Sequence, residues 1–188
     1  MTLNELCQIA SVCTSCSLNQ DRIKPVFSKG SHSASIMICG MVPAKDENLV
    51  GTPFVGRAGK LLDILLEQAN LDYEQVYITN LVKCPVKPGT SLEDNWINSC
   101  SYYLNEEINI IKPKLIISLG KDASFNLLGL TKGAISGIIG GVYEYNWLNI
   151  MPTYHPSFLV RKGGTKAPEY LQVAEHFKQA KLFCDNYK

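Results

Sequence analysis

Asn80 ends the stretch YITN, and four residues later the same segment, TNLVKCP, places Cys84 before Pro85. An Asn side chain offers one acceptor and two donors, enough to pair with two adjacent edge atoms of a nucleic-acid base. A cysteine fixed to the same piece of backbone can ligate a metal. Either residue also has a plainer use: the Asn can cap the following turn, and the Cys can fill a core. Cys13 and Cys16 form a C-x2-C pair in a polar segment, and fifteen residues separate Cys84 from Cys100. Four thiolates at this spacing suit a zinc ion or an iron–sulfur cluster, although a zinc ribbon would have a second C-x2-C pair. Cys7, Cys39 and Cys184 lack a partner at ligand spacing and read as core cysteines.

His155 stands in YHPSF, where Pro156 restricts its backbone. A neutral His can donate one hydrogen bond to a developing oxyanion, and a cationic one can offset more charge. The loop 40–56, GMVPAKDENLVGTPFVG, is glycine-rich and carries Asp46 and Glu47. Its backbone amides could face an anion and a carboxylate could orient water. Its plain reading is a surface loop with two solvated acids. Arg161, Lys162 and Lys166 follow His155 around Gly163-Gly164, which suits phosphate contact or a solvated basic loop.

Positioning these groups requires a scaffold, and the hydrophobic pattern supplies one. SIMIC (35–39), Val76–Thr79, KLIISLG (114–120) and LNIMPTYHPS (148–157) each contain a strand. Leu61, Leu62, Leu65, Leu66 and Ala69 recur with helical period. Thr90 with Glu93 has the spacing of a capping box. It precedes a stripe of Leu92, Trp96, Ile97, Cys100, Tyr103, Leu104, Ile108 and Ile111, stopped by Pro113. A short helix is expected around Ala123–Leu128, a hairpin over Gly137–Trp147, and a last helix through Tyr170, Val173, Ala174, Phe177 and Ala180. RKGGTKAP (161–168) reads as the flexible stretch. Alternating strands and helices predict an α/β fold with a mostly parallel sheet. In such sheets the site lies beyond the carboxyl ends of the strands, here at Gly40–Ala44, Asn80, Gly120 and His155.

The 188 residues, 46% hydrophobic and 19% charged, fit one domain spanning 1–188 and exclude a disordered chain. No apolar run approaches a membrane span. MTLNELCQIA carries acid rather than base and shows no cleavage site, so no signal peptide is expected and a cytoplasmic protein is. A net charge of +1 gives no global attraction to nucleic acid, so DNA binding would need a local patch. Seven cysteines, an odd number, in a reducing compartment argue for metal or cluster ligation over disulfides.

GTPFVGRAGKLL (51–62), YITNLVKCP (77–85), CSYYLNEEINIIKPKLIISLG (100–120) and YHPSFLVR (154–161), with the CTSC pair, resemble in order the blocks of iron–sulfur uracil-DNA glycosylases, the family 4 branch of that superfamily. The resemblance implies a three-layer αβα sandwich around a four-stranded parallel sheet. It implies that Cys13, Cys16, Cys84 and Cys100 hold a 4Fe–4S cluster that organises loops beside the DNA surface. It implies that Phe54 stacks on a flipped uracil, Asn80 reads its edge and His155 faces O2, with Gly40, Met41 and Ala44 around the base. Glu47, or Asp46, would orient water. Ser157, Phe158, Leu159 and Arg161, with Lys162 and Lys166, would contact DNA, Phe158, Leu159 and Arg161 as a wedge and the lysines at phosphates.

The first motif departs from the family pattern, Gly-Glu-x-Pro-Gly followed by an acidic pair. Met41 stands for the Glu, Ala44 for the second Gly and Asn48 for the last acid, so that GMVPA is closer to the Gly-Leu-Ala-Pro-Ala of the family 5 branch. The expected function is hydrolysis of the N-glycosidic bond of uracil in DNA, single-stranded or duplex, by a monomeric nucleoid-associated protein of base excision repair. The alternatives are a catalytically weakened or inactive DNA-binding or replication accessory protein, and a glycosylase for another modified pyrimidine.

Overall fold

A computed structural model describes residues 1–87 and 89–187. Six strands form one sheet: β1 (Lys29–Gly30), β2 (Ile36–Gly40), β3 (Val76–Asn80), β4 (Leu115–Leu119), β5 (Tyr143–Tyr145) and β6 (Leu148–Thr153). Their order is β1-β3-β2-β4-β6-β5. The inner four strands are mutually parallel, and the short β1 and β5 add antiparallel edges. The four-stranded parallel core is therefore present, widened by β5, which falls within the expected hairpin, and by β1, which the sequence did not announce.

Every residue of β2, β3 and β4 is buried, which is why these strands read as near-continuous apolar runs. Their side chains alternate between two separate cores. Ile36, Ile38, Val76, Ile78, Leu115 and Ile117 face one, while Met37, Cys39, Tyr77 and Ile116 face the other. The first core is closed by α3 (Arg57–Gln68), α6 (Pro156–Arg161) and α7 (Tyr170–Asn186). The second is closed by α1 (Leu3–Ser11), α4 (Asp94–Ile111) and residues of α5 (Lys121–Leu127). A further helix, α2 (Lys45–Val50), lies within the loop that follows β2.

Several local expectations are corrected. Helix α4 begins at Asp94 with Glu93 as N-cap and no side-chain cap bond, so Thr90 and Glu93 do not form a capping box. The hairpin lies later than Gly137–Trp147: β5 pairs with β6 itself, and Asn146 and Trp147, both at positive φ, make the turn. The stretch 161–168, expected to be flexible, contains Gly163 and Gly164 at positive φ and a 3-10 turn over Gly164–Lys166, geometry that does not bear on its mobility. Cys7 is exposed on α1 rather than in a core, whereas Cys39 and Cys184 are buried. Among the described residues no helix is long and apolar enough to cross a membrane.

β2 lies between β3 and β4, so the connections leaving it and returning run to opposite sides. This switch point opens a crevice at the carboxyl ends of the strands.

Candidate active site

The crevice is a cavity of about 530 Å³, within the range of small-molecule sites. It brings together Met41, Ala44, Glu47, Phe54, Asn80, His155, Ser157, Phe158 and Arg161 from separate segments. Gly40 lies directly behind it. A Cβ there would stand 2.4 Å from Asn80 Oδ1 and 2.8 Å from Phe54 Cζ, so glycine lets the amide and the ring approach the same backbone.

Asn80 is the last residue of β3, in register with Gly40. The ladder continues past the strands: Leu81 N–H donates to Gly40 O at 3.0 Å and Val82 N–H to Met41 O at 3.1 Å. The Asn80 backbone is thus fixed on both sides while its amide lines the cavity.

Phe54 is held in a left-handed conformation, φ +55°, that a bulky residue adopts only under constraint. Three contacts supply the constraint. Lys29 Nζ donates to Phe54 O at 3.1 Å. Gly59 approaches that carbonyl so closely that a Cβ would stand 1.9 Å from it. Glu47 Oε1 accepts from the N–H groups of Val55 and Gly56 at 3.1 and 3.3 Å. The Phe54 ring lies 5.8 Å from that of His155, tilted by 27°.

Glu47 is buried rather than solvated. Its Oε2 also accepts from Ala44 N–H at 3.0 Å, so that amide is engaged within the protein instead of facing a ligand. Three of the roughly four lone-pair positions of the carboxylate are occupied. Asp46 is exposed and is not among the residues lining the cavity.

His155 caps α6 and its Nδ1 accepts the Ser157 N–H at 3.0 Å. Burial, aided by the positive charge of Arg161, lowers its pKa to about 4. The ring is neutral at ordinary pH, and with Nδ1 accepting, its proton is on Nε2. A neutral donor is what this site provides, not an imidazolium.

The segment after His155 divides. Leu159 is fully buried in the core and unavailable as a wedge into DNA. Phe158 is half-buried and stacks on Tyr154 at 4.8 Å. Lys162 pairs with Glu169 and lies over the Phe158 ring at 4.5 Å. Arg161 and Lys166 are exposed.

On the other side of β3, Cys13, Cys16, Cys84 and Cys100 line one small recess. Arg22 donates to Cys84 Sγ at 3.2 Å and to Cys13 O at 2.8 Å, and Lys83 N–H donates to Cys100 Sγ at 3.3 Å. Burial raises the pKa of Cys84 and pushes that of Cys100 up to about 11. Both are protonated thiols near neutral pH. Among the described residues no three His, Cys, Asp or Glu side chains are grouped so as to hold a metal ion.

Sequence reasoning missed Tyr154, Ile135, Lys121 and Asp122 on the cavity wall, and the buried pair Lys83–Glu107. Glu107 carried a signal: it lies four residues after Tyr103 and three after Leu104, on the apolar stripe of α4. The loop residues carried none.

Residues 27–177 match the family model of the uracil DNA glycosylase superfamily. The chain is 33% identical to the Type-4 uracil-DNA glycosylase of Thermotoga maritima, over 97% of this chain and 96% of that one. It is 37% identical to the Type-4 uracil-DNA glycosylase of Saccharolobus solfataricus, over 93% of this chain and 86% of that one. It is also 37% identical to that of Sulfurisphaera tokodaii, over 77% and 70%. The chain belongs to the uracil DNA glycosylase superfamily.

Proposed function

We propose that this chain hydrolyses the N-glycosidic bond of uracil in DNA and leaves an abasic site. The observation that carries the reading is the convergence of Phe54, Asn80 and His155 on one cavity at the strand ends. A base in duplex DNA must leave the stack to reach such a cavity. Phe54 then supplies an apolar face. Asn80 accepts from uracil N3–H and donates to O4, and cytosine presents the opposite pattern. As the C1′–N1 bond breaks, its electron pair moves onto the uracil ring. His155 donates Nε2–H to the developing charge at O2, an interaction strongest in the transition state. Water adds to C1′ and gives up a proton, which ends on the departing uracil anion; Glu47, on the cavity wall, orients that water with its remaining lone pair. Arg161 at the cavity rim and Lys166 beyond it contact phosphates, and Phe158 fills the vacated stack.

The same geometry supports slow chemistry. Met41 brings an apolar group to the cavity, and Glu47 already serves three backbone donors. This is the observation that favours the second reading, a DNA-binding protein of the same fold that has lost catalysis. One assay separates the two. A single-stranded oligonucleotide with one uracil, incubated with excess protein and then alkali, breaks at that position in the first reading and stays whole in the second.

We infer that Cys13, Cys16, Cys84 and Cys100 hold a 4Fe–4S cluster. The donor set supports this, since thiols alone supply the ligands lining the recess and N–H···S bonds reach two of them. A single ion needs its donors to converge on one point, whereas a cluster takes one thiolate at each iron. The cluster would cross-link the N-terminal segment to the segment after β3 and to α4. The work of this protein then lies on DNA, inside the cell, with the chain acting as a monomer.

A further inference from the structure

Lys83 lies on the tether between Asn80 and Cys84 and is 1% exposed, with its ammonium inside the second core. Nζ donates to Asn80 O at 2.9 Å, Thr79 Oγ1 at 2.6 Å and Glu107 Oε2 at 2.6 Å. Glu107, fully buried, accepts in turn from Tyr77 OH and Thr79 Oγ1. The Phe27 ring covers the ammonium at 5.3 Å. The Lys83 backbone is tied as well: its N–H donates to Cys100 Sγ at 3.3 Å and its carbonyl accepts from Val26 N–H at 2.7 Å.

A buried ion pair is a poor source of stability, because taking both charges out of water costs about as much as their attraction returns. An apolar pair of similar shape would fill this space. What the charged pair adds is direction. Three donors from one ammonium fix a backbone carbonyl, a hydroxyl and a carboxylate at once, and the carbonyl is that of Asn80.

We propose that Lys83, held by Glu107, is a positioning residue for uracil recognition that couples the cysteine recess to Asn80. One residue grips Asn80 through its side chain and Cys100 through its backbone. Ordering of the recess is thereby transmitted to the orientation of the base-reading amide. The proposal rests on the assignment of Asn80 as the uracil reader.

The test replaces the pair together, Lys83→Met with Glu107→Gln, so that no charge is left buried alone. Hydrogen exchange is followed by mass spectrometry on the purified, iron-loaded protein. Amides over 80–83 should exchange at least about tenfold faster with those of β4 unchanged, because the tether opens locally. In turnover, kcat for uracil release should fall about 10- to 100-fold with KM within about twofold, the cost of a misplaced contact group. Adding Asn80→Ala to the pair should slow the enzyme no further than Asn80→Ala alone, because the pair acts through that residue. Unchanged exchange over 80–83, or losses that multiply in the triple variant, would overturn the proposal. So would a double variant that folds but loses iron and raises exchange throughout. If the double variant does not fold, Glu107→Gln alone carries the test, with the same pattern at about threefold and the same overturning results. The exchange measurement does not depend on turnover. Wild-type protein that releases no uracil would sink the proposed function and leave this coupling to be judged by exchange.

Discussion

Glu47 Oε1 accepts the backbone N–H of Val55 at 3.1 Å, one residue beyond the ring of Phe54. Helix α2 is thereby bonded to the loop that presents the ring. Glu47→Ala should cost about 1–3 kcal/mol, as expected when buried donors lose their acceptor. A drop in Tm should accompany the fall in kcat. A carboxylate that only orients water would lower kcat with Tm unchanged, so thermal melting beside single-turnover kinetics separates the two roles.

The pH profile follows from His155. Its folded pKa, about 4, lies below the ordinary 6.5. Between these values the unfolded chain binds more protons than the folded one, so this group's share of stability is complete above about pH 6.5 and is lost as pH falls toward 4. Uracil release should be level from about pH 6.5 to 8 as far as His155 is concerned, with loss setting in only near its folded pKa. A decline as pH rises through about 6.5 would show that the ring acts as a cation. His155→Ala should lower kcat by about 10²–10³.

Anaerobically purified protein should be brown and contain about four irons per chain. Ser at Cys13, Cys16, Cys84 or Cys100 should bleach it, while Ser at exposed Cys7 should change neither colour nor iron. Arg22→Met, which removes an N–H···S bond without removing a thiolate, should keep the iron but alter the visible spectrum. Stoichiometric zinc without iron would reject the cluster.

The DNA contacts are testable by salt dependence. Arg161→Ala should weaken binding across sequences and flatten the slope of log K against log salt by about one unit. Lys162 is already paired with Glu169, so Lys162→Ala should change the slope by less than half as much. Leu159→Asp should fail to fold, since it would bury an unpaired charge at the foot of α6.

The parallel core was legible because strands buried on both faces leave continuous apolar runs, as in Ile36–Cys39 and Leu115–Leu119. Asn80 and His155 were legible because an α/β sheet presents its site at strand ends. The true setting of Glu47 was not: its partners Val55 and Gly56 are eight and nine residues away, bonded through backbone groups that carry no sequence signature. Leu159 was misassigned because α6 starts at Pro156, which turns that side chain inward. The edge strand β1 escaped notice because two residues are too few for alternation to register.

Gly40 and Asn80 are register partners on adjacent parallel strands. A slip of one residue would send the Asn80 side chain to the opposite face of the sheet. In the proposed function base identity is thus written in strand pairing, whereas Met41, Glu47 and Phe54 hang on the connection between β2 and α3. The two layers meet where Val82 N–H donates to Met41 O. Exchanging residues 41–56 for those of a relative should retune how fast this protein works without changing which base it chooses.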